Sequence, residues 1–386
     1  MVAFTDYPVD TRVRREAEAL VQRGDEVDFI CLDTPSLRGR RSLNGVALHP
    51  AMRFDYAGGA RPRDYIRRYI TFQLAAFARL LAMHLRRRYD VVHVNTMPDS
   101  LVFSAAGAKL LGAKVIIDVH DLMPELYASK FGLGERHWFI RLLGLLERRS
   151  VAFADRAIAV HRPHLDALVR HGNPREKFTV LMNVPDSTLF HARPAPPPAS
   201  PFTLIYHGSV GSRHGLDVAV RAAALARSAV PDLELRIIGD GDFFPSIRAL
   251  VEDLGVQDVV RLDQRFVPIE ELLPTIQRAS IGLVPILDDP FTRYMLPVKL
   301  LEYVALGIPV IASDTETIRS YFDDAMLCFS RPGDPEELAR KMIEMRDPAR
   351  QARHVEAAAR FNAEHTWERE RATYLTLVDS LAAPQV

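Results

Sequence analysis

The chain is poor in cysteine, in net charge and in long apolar runs, and each shortage removes a class of protein. Its two cysteines, Cys31 and Cys328, lie about 300 positions apart in 386 residues. They make neither a disulfide framework nor a thiolate metal cluster, which suits a reducing compartment. Lysine plus arginine and aspartate plus glutamate number 49 each, so the formal net charge is zero. The most apolar long stretch, Tyr69–Leu85, is interrupted by Gln73, Arg79 and His84, and is too short and too polar to span a bilayer. The opening MVAFTDYPVDTR has no basic segment followed by an apolar one, so no secretory signal is expected. These absences predict a cytoplasmic enzyme, with the inner face of a membrane as its other possible station.

What is present fits two globular domains. Apolar residues make up 48% and charged residues 25%, an ordinary globular composition, and the length suits two cores of about 150–200 residues. Zero net charge conceals an asymmetry. Residues 1–195 hold 29 Lys and Arg against 21 Asp and Glu, and the remainder hold 20 against 28. A basic first half either faces an anionic partner or docks on the acidic second half. No nucleic-acid partner is expected.

The segment ARPAPPPASP, Ala192–Pro201, carries five prolines in ten residues and reads as a semi-rigid linker. It predicts a first domain over 1–194, a linker over 195–201, a second domain over 202–365, and a final helix over 366–386 that returns to the first. On either side, apolar runs rich in β-branched residues alternate with amphipathic patterns. VVHVN, KVIIDVH and RAIAV belong to the first half, and FTLIYHG, LELRIIG and PVIAS to the second. This alternation predicts two doubly wound, Rossmann-like α/β domains with parallel sheets. Ligands of such sheets bind beyond the carboxyl ends of the strands, where the chemistry is to be sought.

The richest stretch is RYMLPVKLLEYVALGIPVIAS, Arg293–Ser313. Pro297 suits the first turn of a helix, and Gly307 with Pro309 ends it. Lys299 then stands in the first turn, where the helix dipole disfavours a cation. A lysine there makes sense if it joins the free N–H groups in holding an anion such as a diphosphate. Glu302, one turn on, lies on nearly the same face and can accept hydrogen bonds from ribose hydroxyls. Taken alone, the two also read as a solvated i,i+3 pair. Earlier, TLIYHGSVGSRHGLD reads as strand, glycine loop and helix. There Gly208 and Gly211 permit close backbone approach and Arg213 offers a forked donor for phosphate.

The Arg293–Ser313 string resembles the nucleotide-binding signature of the retaining family 4 glycosyltransferases, which have the GT-B fold. It matches the pattern Pro-x-Lys-φ-φ-Glu-Tyr-φ-Ala-x-Gly-x-Pro-Val-φ-Ala at every fixed position. The likeness runs almost end to end, through DTRVRREA, KVIIDVHDLMPE, FADRAIAV, YHGSVGSRHGLD and LELRIIGDGD. One position departs: many members carry an acid eight residues before Glu302, where this chain has Tyr294. The resemblance implies two facing domains with a cleft between them. It implies a nucleoside diphosphate sugar bound by Gly208, Gly211, Arg213, Gly239, Tyr294, Met295, Leu296, Lys299 and Glu302. It also makes His120, at a strand end, the active-site histidine beside the transferred sugar, with Arg213 and Lys299 as the catalytic cations.

Other candidates weigh less. Asp240-Gly-Asp242 and Asp288-Asp289 have the chemistry of a divalent-ion pair, but read as a glycine turn and a solvated loop, so neither a metal nor a cofactor is expected. Gly208-x-x-Gly211-x-x-x-Gly215 is only loosely a dinucleotide fingerprint. The helix Tyr65–Arg88 carries Ile66, Ile70, Leu74, Phe77, Leu81 and Leu85 at helical spacing among six arginines. Its stripe either packs on the sheet or meets anionic lipid. The function expected is transfer of a sugar, with retention, to a glycan or lipid-linked hydroxyl acceptor of surface-polysaccharide type. A sugar-nucleotide epimerase and a non-catalytic partner subunit are the alternatives, the latter drawing weight from Tyr294.

Overall fold

A computed structural model describes residues 1–54, 62–193 and 200–382. The expected linker falls, through residue 199, outside the described residues. The chain divides into two compact units, Met1–Asn183 with the chain from Glu368 onward, and Val184–Trp367. Among the described residues, no helix is long and apolar enough to cross a membrane.

The first unit runs β1 (Val2–Ala3), α1 (Thr11–Arg23), β2 (Asp28–Asp33), β3 (Ser42–Leu43), β4 (Val46–Arg53), α2 (Pro62–Arg87) and β5 (Val91–Asn95). A 3-10 turn over Asp99–Ala105 then leads to α3 (Ala106–Leu110), β6 (Lys114–Val119), α4 (Met123–Phe131), α5 (Trp138–Phe153), β7 (Arg156–Ala159), α6 (Arg162–Arg170) and β8 (Phe178–Val180). The sheet order is β3-β4-β2-β1-β5-β6-β7-β8, and every pairing is parallel except β3 with β4. That hairpin goes beyond the sequence reading. Asn44 and Gly45 both take positive φ, 49° and 85°, as a two-residue primed turn requires. An Asn-Gly between short alternating runs was its signal.

Helix α2 turns differently from the stripe expected to pack on the sheet. Its buried face is Phe72, Ala76, Leu80 and His84, while Ile66, Ile70 and Leu74 are 52%, 55% and 64% exposed. Small Ala76 allows close approach on the first face, and Leu81 packs where Gly107 of α3 leaves no side chain. Apolar content alone does not choose between two stripes offset by two residues.

The second unit runs β9 (Phe202–His207), α7 (Leu216–Ala226), β10 (Leu233–Gly239), α8 (Phe244–Asp253), β11 (Val260–Gln264), α9 (Ile269–Gln277) and β12 (Ile281–Val284). It continues with α10 (Val298–Ala305), β13 (Val310–Ser313), α11 (Glu316–Arg319), β14 (Cys328–Ser330), α12 (Pro335–Glu344) and α13 (Pro348–Glu364). All six strands are parallel in the order β11-β10-β9-β12-β13-β14. The winding reverses between β9 and β12, which is where open α/β sheets hold ligands. Leu204, Tyr206, Leu235, Ile237, Leu283 and Ile311 fill the core between this sheet and α7, α8 and α12.

The last helix, α14 (Trp367–Ala382), packs in the first unit. Its Tyr374, Leu377 and Val378 join the core with Tyr7, Val13 and Phe29, and the Tyr374 hydroxyl lies 2.9 Å from His93 Nδ1.

Candidate functional site

In the second unit the motif residues meet at the reversal point. Helix α10 is seated by Tyr303, whose ring lies where a side chain on Gly282 would be, 2.3 Å from a hypothetical Cβ. Its hydroxyl donates to the Ile205 carbonyl at 3.1 Å. This fixes the helix against β12 and β9, so its amino end opens beside the loop that follows β9. No side chain caps that end, leaving its first N–H groups to solvent or ligand.

Lys299, on the second residue of α10, reaches across the loop. Its ammonium donates to the Tyr206 hydroxyl at 2.9 Å and lies 4.1 Å from the centre of the Tyr206 ring. Gly208 has φ 107°, and a Cβ there would lie 3.6 Å from Lys299 Cε and 3.7 Å from Nζ. The loop is thus bare backbone facing a cation. Gly239 serves it from below, since a Cβ on that residue would fall 1.8 Å from the Gly208 carbonyl oxygen. Gly208 and Val210 N–H groups donate to the Ile238 and Asp240 carbonyls, pinning the loop to the end of β10.

Gly211 begins the turn Ser212–His214, and its N–H donates to His214 Nδ1 at 3.1 Å. Burial, then the charges of Lys299 and Arg213, push the His214 imidazole down to about 3. His214 is therefore a neutral turn residue at neutral pH, and Lys299 and Arg213 provide the positive charge. Arg213 lies with its guanidinium 5.3 Å from the Phe291 ring centre, and its Nε is buried with no hydrogen-bond partner among the described residues. An unmet, desolvated cationic donor is costly unless something anionic completes it.

Glu302 faces back toward β9, with Oε2 3.3 Å from His207 Nε2. Burial, then Lys299, push His207 down to about 3, so this pair is a carboxylate beside a neutral imidazole. Tyr294 closes a short 3-10 turn over Thr292–Tyr294, and Met295 and Leu296 follow it, half-buried, into Pro297. Asp289 shapes that turn by accepting from the Phe291 and Thr292 N–H groups at 2.8 and 2.7 Å. Asp240 accepts from Gln264 at 2.9 Å. Sequence reasoning missed Tyr206, His207 and Phe291. The aromatic pair that ends β9 was the available signal for the first two.

In the first unit, His120 follows β6 and is half-buried. Its Nε2 lies 3.1 Å from Asp118 Oδ2 and 3.3 Å from Asn95 Oδ1. Asp118 is fully buried and is gripped by Arg12. Glu16, His93 and Asp118 hold ligand-capable atoms within 4.8 Å of one another. Arg12 already sits 3.3 Å from Glu16 and 2.8 Å from Asp118, so a guanidinium takes the place a metal ion would need. Arg12, Glu16 and Asp118 also went unchosen from sequence, although an aspartate inside the apolar run KVIIDV demanded a buried partner.

Comparison with known proteins agrees with both halves. Residues 9–183 match the family model of the glycosyl transferase 4-like domain, and residues 201–347 match that of glycosyl transferases group 1. The chain is 31% identical over 147 residues to the putative colanic acid biosynthesis glycosyltransferase WcaL of Escherichia coli, a match spanning 38% of this chain but only 36% of that protein. It is 28% identical over 377 residues to the D-inositol 3-phosphate glycosyltransferase of Thermobispora bispora, spanning 91% of this chain and 84% of that protein. Among solved structures it is similar to Anabaena HepE in complex with UDP, with a TM-score of 0.73, 15% identity and 98% of each chain covered. Sucrose-phosphate synthase from Thermosynechococcus elongatus gives a TM-score of 0.75 at 18% identity, again over 98% of each chain. The fold is GT-B. The two matched segments are thus a glycosyl transferase 4-like domain followed by a glycosyl transferases group 1 domain.

Proposed function

We propose that this chain transfers a sugar from a nucleoside diphosphate sugar to a hydroxyl acceptor, with retention at the anomeric carbon. The observation that carries the reading is the bare Gly208 loop faced by Lys299, with the unpartnered Arg213 Nε beside it. Bare backbone with two cations close to it suits a diphosphate. Arg213 and Lys299 neutralise the charge that grows on the leaving β-phosphate as its bond to the sugar breaks. The acceptor oxygen then bonds the anomeric carbon on the same face and gives its proton to the leaving phosphate oxygen. Glu302 receives the ribose hydroxyls, Gly211 lends the loop its backbone, and Tyr294, Met295 and Leu296 line the sugar side. His120 serves the transferred sugar. The UDP bound to a protein of the same fold favours uridine as the base, and WcaL favours a polysaccharide-type acceptor, glycan or lipid-linked.

The exposed Ile66, Ile70 and Leu74 stripe of α2, next to exposed Arg67 on a basic half-chain, supports contact with an anionic membrane face. No metal or cofactor is needed by this route. Incubation with a panel of labelled sugar nucleotides, with and without an acceptor extract, tests the reading. A product that needs both substrates supports transfer. Conversion of the donor alone would establish an epimerase, and donor binding without product across the panel would establish a non-catalytic subunit.

A further inference from the structure

Tyr206 carries a hydroxyl into an apolar place. It stands on β9 in the core with Leu204, Leu235 and Leu283 and is fully buried. A phenylalanine would fill the same space, so packing leaves the hydroxyl unexplained. That oxygen has two partners, both beside the proposed diphosphate position. It donates to the Ser209 carbonyl at 2.5 Å. A carbonyl oxygen only accepts, so the phenol's single proton lies on that bond and its lone pairs are left to accept. There the Lys299 ammonium donates at 2.9 Å, standing 4.1 Å from the centre of the same ring. Contact with the ring and a bond to its oxygen together fix where the charge sits.

The bond to Ser209 fixes the loop in turn. The Ser209 carbonyl and the Val210 N–H belong to one peptide unit, and that N–H donates to the Asp240 carbonyl at 2.9 Å. Both ends of this peptide plane are therefore held, one by Tyr206 and the other by the end of β10. The Ser209 N–H has no hydrogen-bond partner among the described residues, and Gly208 and Ser209 are exposed. One buried hydroxyl thus ties the cation of α10 to the bare backbone opposite it.

We infer that Tyr206 is a positioning residue for the diphosphate: its hydroxyl holds the Lys299 ammonium and the backbone of Gly208 and Ser209 in one fixed relation, so that both meet the same anion. This rests on the reading of the chain as a sugar-nucleotide enzyme and adds to it the group that builds the phosphate cradle from β9. An ammonium has three N–H groups; Tyr206 takes one and leaves two for phosphate oxygens. Charge alone acts from any nearby position, whereas a charge-assisted hydrogen bond needs its length and its angle.

Calorimetric titration of the full chain with inorganic pyrophosphate, and with whichever of UDP and GDP binds more tightly, tests this beside thermal denaturation. Tyr206→Phe keeps the ring and deletes the oxygen. Water can reach both Ser209 and Lys299, so Tm should fall by less than about 4 °C. Both phosphate ligands should bind at least about fivefold more weakly. Made in Lys299→Ala, where the cation to be positioned is gone, the same substitution should cost less than about twofold more. Lys299→Arg keeps the charge and moves it, so it should weaken pyrophosphate at least about fivefold as well. Unchanged affinity in Tyr206→Phe, the whole fivefold loss again in the Lys299→Ala background, or wild-type affinity in Lys299→Arg each overturns the inference. If Tyr206→Phe does not fold, Lys299→Arg decides. A wild type that binds neither pyrophosphate nor a nucleoside diphosphate sinks the donor reading itself, and the inference with it.

Discussion

Gly208→Ala separates a glycine kept for the ligand from glycines kept for the fold. The added methyl would lie 3.6–3.7 Å from the end of Lys299, an ordinary contact, so nothing in the folded protein must move to admit it. The folded-state cost is the backbone, since φ 107° is foreign to an L side chain and costs about 1–3 kcal/mol. At roughly 2–4 °C of Tm per kcal/mol for a domain of this size, the variant should fold with a modestly lower Tm. Binding should suffer more, because the methyl occupies the ground between the loop and the ammonium where the proposed function puts the diphosphate. A loss of one or two close charge-assisted hydrogen bonds, about 1.5–3 kcal/mol each, puts the affinity for a nucleoside diphosphate down at least tenfold. Two neighbours calibrate the result. Gly255→Ala stays within the left-handed region open to L residues, φ 61°, with nothing within 4 Å of the new methyl; it should lose less stability and no affinity. Gly239→Ala drives its methyl to 1.8 Å from the Gly208 carbonyl and should not fold stably. Calorimetric titration with thermal denaturation on all three reads both quantities. Full affinity in Gly208→Ala, or equal affinity losses in Gly208→Ala and Gly255→Ala, would refute the reasoning.

Other outcomes follow from the packing. His171 sits between Glu125 at 2.8 Å and Glu147 at 3.0 Å. Burial opposes its charge, but these hydrogen bonds outweigh it and raise the imidazole from 6.5 to about 10. A raised folded-state value means the stabilisation is complete below about pH 6.5 and lost as pH climbs toward 10. His171→Gln should therefore cost about 3 kcal/mol near pH 6, and the gap to wild type in denaturant titrations should close by pH 10; a pH-independent gap contradicts the assignment. Tyr374→Ala empties a fully buried site and strands His93 Nδ1. It should destabilise the first unit by about 3–5 kcal/mol, read as an earlier unfolding step, while nucleotide binding by the second unit persists. Ile70→Glu with Leu74→Glu, both on the exposed face of α2, should abolish sedimentation with phosphatidylglycerol vesicles and leave Tm within about 2 °C; unchanged sedimentation removes the membrane contact.

Much of this was legible in the sequence for a physical reason. A fold built from strand–helix alternation writes its period into the apolar pattern, and β9, β10 and β13 fall on the runs FTLIYHG, LELRIIG and PVIAS read as strands. The lysine at the start of α10 was legible because it breaks the dipole rule, and a broken local rule points to a ligand. What stayed hidden depends on distant pairing. Arg12 and Asp118 lie 106 positions apart and find each other only when β6 and α1 are packed. The α2 stripe failed for a different reason: two apolar faces share one helix, and only the neighbours, through Ala76 and Gly107, decide which is covered. His207 was passed over because its partner, Glu302, comes from the helix that Tyr303 seats.

Titration of wild type, Lys299→Ala and Arg213→Ala with UDP, GDP and the matching nucleosides tests the donor site most directly. One diphosphate should bind saturably and its nucleoside far more weakly, with each substitution weakening the diphosphate at least about tenfold. Diphosphate and nucleoside binding alike, or both variants binding as wild type does, would contradict the assignment of the donor site to this loop and helix.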